Sequence, residues 1–183
     1  MNQANLRMTI SKIEEIIRTL FYDTRTICRE DLVFHDSVRE MCQQNQCGAY
    51  GKNWMCPPAM GSMETCKRML ARFHAGWLVQ TVGQLEDAFD YPTMLKTENT
   101  HNRNLHQAKT RLQKEGVDVL VLGAGGCRIC KTCSYPHHPC RFPERAYHSM
   151  EGVGLLVTDV CKQVSMPYHY GKNTVTYTGC LLL

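Results

Sequence analysis

The sequence predicts an α/β fold: a small single domain over residues 1–183, with helices flanking a short mixed or parallel sheet and two cysteine-rich loops. Three observations predict it. A length of 183 residues suits one hydrophobic core. Apolar residues recur three or four apart in some segments and form short β-branched runs in others, the signatures of helix and buried strand. In the middle of the chain, residues 77–82, a helical stretch carrying Leu105, Ala108 and Leu112, and residues 117–122 follow one another as strand, helix and strand. That order predicts a right-handed βαβ crossover with its two strands paired in parallel.

The elements follow in order. Ile10, Ile13, Ile16, Ile17, Leu20 and Phe21 share one helical face, so residues 9–22 are expected to form an amphipathic helix whose role is packing. Asp36 or Ser37 caps a short helix carrying Val38, Met41 and Cys42, and residues 47–58 form a loop. Ser62 precedes Met63, Cys66, Met69, Leu70 and Phe73 at helical spacing, with Gly76 as the expected stop. Residues 90–104 begin polar and turn-rich before the Leu105 helix, which ends ahead of Gly116. Residues 149–164 look mainly helical with a break near Gly152 and Gly154, and residues 174–183 are a final strand after the Tyr170-Gly171-Lys172-Asn173 turn. Tyr-Gly-Lys-Asn also begins at Tyr50, but turn chemistry explains both copies without a duplication.

Composition narrows the function. Hydrophobic residues make up 43% and charged residues 21%, a composition that gives no support to a disordered, collagenous or coiled-coil chain. A net charge of +4 falls short of a dedicated nucleic-acid binder. The segment from Met1 is broken by Arg7, Lys12, Glu14 and Glu15, unlike a signal peptide, and no run approaches the ~20 apolar residues of a membrane span. The expected location is therefore cytoplasmic. Eleven cysteines in a reducing compartment point to metal or redox chemistry before disulfides, and an odd count cannot all pair within the chain.

The cysteines fall in two groups. The second reads Cys127-x2-Cys130-x2-Cys133-x6-Cys140, directly after a strand and the flexible Gly123-Ala124-Gly125-Gly126. Three thiolates at two-residue gaps can wrap three corners of a [4Fe-4S] cubane while a fourth arrives later, a spacing shared in part with bacterial ferredoxins. Here the last gap is six residues and Pro143 stands three after Cys140, so a ferredoxin fold does not follow. Zinc is the competitor, with four thiolates or with His137 or His138 in place of one, although zinc usually takes paired knuckles. Unligated cysteines are the third reading.

The first group reads Cys42-x4-Cys47-x8-Cys56-Pro57-Pro58, and Cys66 follows after nine more residues. Gly48, Gly51 and Asn53 permit sharp turns, and the two prolines stiffen the chain after Cys56. Cys66 shares a helix face with Met69, Leu70 and Phe73, so a core role competes with ligation. Without it this group has three thiolates, and one iron would take water, another side chain or a substrate atom. Alternatively, one loop lends a cysteine to the other's cluster. Arg128, Lys131, Arg141 and Arg145 surround the second group, either compensating an anionic cluster or docking an anionic partner.

Other cofactor chemistry finds no support. Arg128 stands where a dinucleotide fingerprint starting at Gly123 needs its third glycine, and neither Gly51-Lys52 nor Gly171-Lys172 is followed by Ser or Thr as a phosphate loop requires.

Several blocks carry a family resemblance: Cys42 to Cys47, Tyr50-Gly51-Lys52-Asn53-Trp54-Met55-Cys56-Pro57-Pro58, Gly126-Cys127 to Cys133, Cys140-Arg141-Phe142-Pro143-Glu144, and Ser149-Met150-Glu151-Gly152-Val153-Gly154. In them the chain resembles a family of small cysteine-rich predicted metal-binding proteins of anaerobic bacteria and archaea, with a domain of unknown function (domain of unknown function 2284). The resemblance implies iron–sulfur binding by both cysteine groups and a role in anaerobic metabolism, sometimes beside corrinoid methyltransferases. The expected ligands are Cys127, Cys130, Cys133 and Cys140 for one [4Fe-4S] cluster, and Cys42, Cys47 and Cys56 with an unassigned fourth for another. Electron transfer to a redox partner protein or an anaerobic enzyme is the leading function. An enzyme with an open iron and a structural zinc protein are the alternatives. Cys28, Cys66, Cys161 and Cys180 fall outside these blocks. Ser149-Met150-Glu151 is expected to open a helix whose dipole and amides face the cluster loop.

Overall fold

A computed structural model describes residues 3–183. In chain order it comprises α1 (Gln3–Arg18), β1 (Asp23–Cys28), α2 (Asp36–Gln43), α3 (Met63–Leu70), β2 (Ala75–Gln84), α4 (Tyr91–Lys114), β3 (Leu120–Gly123), β4 (His148–Ser149), α5 (Val157–Gln163) and β5 (Thr174–Leu182). The strands form one mixed sheet in the order β1-β2-β5-β3-β4.

Side chains alternate across this sheet, so its two faces carry separate cores. Trp77, Val79, Val121 and Leu181 pack against Ile13 and Ile17 of α1 and Leu105, Ala108 and Leu112 of α4. Leu78, Leu122, Cys180 and Leu182 face the other way, onto Leu70 of α3, Val160 of α5, and Met150, Val153 and Leu155. Both faces are covered, which explains why the strands read as continuous apolar runs.

The sheet departs from the expected pairing. β2 and β3 are not neighbours, because β5 lies between them and runs antiparallel to both. They therefore share a direction across an intervening strand, and the parallel pair is β3 with β4. No local pattern distinguishes these cases, since β5 comes from the far end of the chain.

The helix boundaries also shift. The first helix ends at Arg18 instead of continuing to residue 22, because the Tyr22 amide donates to Gln80 O at 2.8 Å and begins the β1–β2 ladder, a strand that sequence reading missed. Ile10, expected on the core stripe, is exposed. Residues 90–104 are mostly helix: Asp90 caps α4 by accepting from the Thr93 amide, and the buried stripe of Thr97, His101, Leu105, Ala108 and Leu112 keeps helical spacing with two polar members that hide the signal. Gly76 is not a helix stop. It lies inside β2, where an added Cβ would stand 2.2 Å from Leu181 O. Residues 149–164 are helical only over α5; Ser149 ends β4, and the expected helix start at Ser149-Met150-Glu151 is a turn that closes at Gly154, whose φ is +96°.

Candidate metal centre

The second cysteine group lies wholly in residues 124–147, the connection between the parallel strands β3 and β4. It leaves the carboxyl end of β3, the end where open α/β sheets place their sites. The first group lies at the end of α2 and in residues 44–62 before α3. Here the chain curls through Asn45 and Gly48 at positive φ, and Gly51 N donates to Pro57 O at 2.8 Å. Asn53 Nδ2 donates to Ala49 O at 3.2 Å while its Oδ1 accepts from Met55 N at 3.0 Å. Amide side chains thus replace the hydrogen bonds that a helix or strand would make.

The two loops are fastened together. Trp54 Nε1 donates to His138 O at 3.0 Å, and the Trp54 and Tyr135 rings meet edge to face at 4.9 Å. Gly126 passes so close that a Cβ there would stand 2.8 Å from Ala49 Cβ and 3.7 Å from Cys56 Sγ.

Cys127, Cys130, Cys133 and Cys140 line one narrow cavity with Asn53, Trp54 and Met55 from the first loop. Burial pushes the Cys127 thiol up, against the Ile129 amide, and the neighbouring Cys140, Cys130 and Cys133 add to the rise. Burial likewise raises Cys56, opposed by hydrogen bonding from the Asn53 side chain and the Cys127 backbone. Cys42 is raised by burial, then by the charges of Cys47 and Glu151, with Arg39 opposing. Such thiols hold their protons until a cation displaces them, so metal binding and proton release are coupled here.

The structure brings Cys127, Cys130, Cys133 and Cys140 into one group and sets Cys42, Cys47 and Cys56 beside it. Cys66 packs in the core, with Sγ 3.8 Å from both Arg39 Nη1 and Met60 O. Cys161 and Cys180 are core residues, and exposed Cys28 places its thiol 3.1 Å from Asp31 Oδ2. All eleven thiols are free. His137 and His138 are exposed on the loop rim.

The fit to metal depends on donor type and spacing. Among the described residues no three His, Cys, Asp or Glu side chains converge on a single ion. Four thiols from one loop could serve a polynuclear cluster, with one thiolate per iron, or one zinc, which needs four donors within ~2.3 Å of a point. The shared cavity is about 20 Å³, and its outer wall is turns without helix or strand, mostly exposed over residues 131–145.

Sequence reading missed four further residues at the site, Arg39, Arg103, His106 and Tyr147. Arg39 reaches from α2 to Gly152 O, Gly61 O and Cys66. Tyr147 OH lies 3.1 Å from His106 Nδ1 and, with Arg103, Arg128 and Arg145, lines a cavity of about 460 Å³ beside Cys127. Burial pushes the Tyr147 hydroxyl up to about 12. Only Arg128 and Arg145 were flagged, through their nearness in sequence to the cysteines; the other residues come from α2, α4 and the approach to β4. Arg128 also pairs with Glu98 at 3.2 Å, and Arg145 stacks on Phe142.

Fold and site together define a cysteine-rich α/β protein with two donor loops joined beside a mixed sheet. The chain belongs to the family described as predicted metal-binding protein (DUF2284), whose model matches residues 25–183. No curated protein and no solved structure matches the chain. Among the described residues no helix is long and apolar enough to cross a membrane.

Proposed function

We propose that residues 1–183 act as one cytoplasmic iron–sulfur unit that holds two [4Fe-4S]-type clusters and passes electrons to a redox partner or enzyme of anaerobic metabolism, with corrinoid methyltransferase systems as candidates. Cys127, Cys130, Cys133 and Cys140 would hold one cluster, and Cys42, Cys47 and Cys56 three corners of the other. When bound, the clusters supply one-electron chemistry; the chain supplies burial, placement and charge. The observation that carries this reading is the contact of the two cysteine groups through Gly126, Cys127 and Cys56. Two redox groups that exchange electrons must lie close, whereas a structural zinc site has no need of a second thiol set against it.

Anaerobic purification with quantification of iron, sulfide and zinc tests the proposal. About eight irons and eight sulfides per chain are expected for two such clusters. Stoichiometric zinc without sulfide would sink it.

A second reading, an enzyme, is favoured by the 460 Å³ cavity, where Arg103, Arg128, Arg145 and His106 gather positive charge and hydrogen-bond donors around Tyr147, next to Cys127. An anionic substrate suits that lining. Isothermal titration of the anaerobic protein with succinate and with phosphate tests it: saturable binding that is lost in Arg103→Ala supports a substrate site, and no heat from either argues for a carrier.

A further inference from the structure

The first cysteine group offers three thiols where a four-iron cluster has four corners. Cys66 is a poor candidate for the fourth, because it packs among the core residues around α3 and its sulfur faces Arg39 and the Met60 carbonyl. A different donor stands at the site. Glu151 lies in the turn after β4, close enough to Cys42 for its charge to raise that thiol. Its Oε2 is shielded from solvent and has no hydrogen-bond partner.

A buried carboxylate kept for structure normally satisfies both oxygens or pairs with a cation. Glu151 has neither. The Gly125 amide is its hydrogen-bonding neighbour from the second loop, and burial raises its carboxyl despite that help. Arg39, the cation on this side, spends its guanidinium on Gly152 O, Gly61 O and Cys66 Sγ. The unpaired carboxylate oxygen belongs to a residue beside Cys42, and Arg39 of the same helix as Cys42 bonds the next residue's carbonyl, Gly152 O; a carboxylate oxygen is an ordinary metal donor.

We propose that Glu151 is the fourth protein ligand of the Cys42, Cys47 and Cys56 centre, which makes that centre a three-thiolate, one-carboxylate site. The inference rests on the iron–sulfur reading above. It also explains why the turn at residues 150–154 is held so closely: Gly152 N donates to Ser149 Oγ at 2.9 Å, and a Cβ at Gly154 would stand 2.2 Å from Met63 Sδ. A fixed turn sets the carboxylate in one place. A carboxylate is a weaker donor to such a cluster than a thiolate, so this corner would be the one at which an iron is most easily lost or exchanged.

The test is anaerobic reconstitution of wild type, Glu151→Ala, Glu151→Gln and Glu151→Cys with iron and sulfide, followed by iron counts and electron paramagnetic resonance before and after mild oxidation. Benzenethiol is added to each as a probe for an open iron. Glu151→Ala and Glu151→Gln are expected to lose one iron per chain on oxidation, to show the signal of a three-iron cluster, and to change their absorption with benzenethiol. Glu151→Cys should keep the full count and ignore the probe. If the Ala and Gln variants match wild type in count, signal and probe response, Glu151 is not a ligand. Benzenethiol binding equally to wild type also overturns the proposal, because that iron would already be open. A wild-type chain that binds no iron and sulfide fails at the earlier step, and that failure is distinct because it precedes any comparison of variants.

Discussion

Gly126→Ala is the sharpest perturbation of the junction between the two cysteine loops. The added Cβ would sit 2.8 Å from Ala49 Cβ, against an optimum carbon–carbon separation of about 3.5–4.0 Å. Ala49 or Gly126 must therefore retreat by about 1 Å, and the sulfur of Cys56, 3.7 Å from the new atom, leaves little room on that side. Overpacking of this kind costs about 1–3 kcal/mol, and the exposed turns around the contact place the expected loss near 1–2 kcal/mol. Guanidinium unfolding of the reduced, metal-free chain measures it. Ala49→Gly removes the opposing atom, so the double variant should recover most of the loss, with an interaction energy of at least ~1 kcal/mol in a double-mutant cycle. Additive effects of the two substitutions, or no effect of Gly126→Ala alone, would refute the contact on which the two-centre reading depends.

Three other outcomes are expected. His101 is fully buried, bonds Thr81 Oγ1 at 2.9 Å and has its pKa pushed down to about 3 by burial. The unfolded chain takes up that proton near pH 6.5 and the fold does not, so stability from neutral His101 is complete above pH 6.5 and falls by about 1.4 kcal/mol per unit toward pH 3. Urea titrations at pH 7, 5.5 and 4 should show a shallower loss for His101→Gln, and parallel curves would contradict the assignment. Tyr170 OH stands 2.7 Å from Oε1 of fully buried Gln80 and 2.8 Å from Asp23 Oδ2, so Tyr170→Phe should cost about 1–3 kcal/mol in thermal or denaturant unfolding. Cys66→Ala should lower stability by about 1–2 kcal/mol, as deletion of a buried atom does, yet leave the iron count of the reconstituted protein unchanged; loss of iron would return Cys66 to the ligand set.

Both cysteine loops were legible because cysteine spacing and turn residues are local. Cys127, Cys130, Cys133 and Cys140 sit within fourteen residues, and the prolines after Cys56 and the glycines before it mark a loop wherever it is packed. Glu151 was visible only as part of a sequence block. Its significance depends on an oxygen left without a partner, which exists only after β4 and the turn behind it have folded. Arg39, Tyr147 and His106 stayed unread for a related reason: single polar residues on helices and strand ends give no signal until the chain brings them together.

The sequence by itself determined the α/β class, the main helical faces and the two cysteine groups, because apolar periodicity and short-range spacing are properties of neighbouring residues. The tertiary structure decided that β5 separates β2 from β3, that β1 exists as one edge strand, and that α4 runs unbroken from Tyr91 to Lys114 with Thr97 and His101 in its buried stripe. It also decided that the two cysteine loops touch, through Gly126 and Ala49. Each of these depends on pairing or packing between segments distant in the chain, where loop closure and burial outweigh local preference.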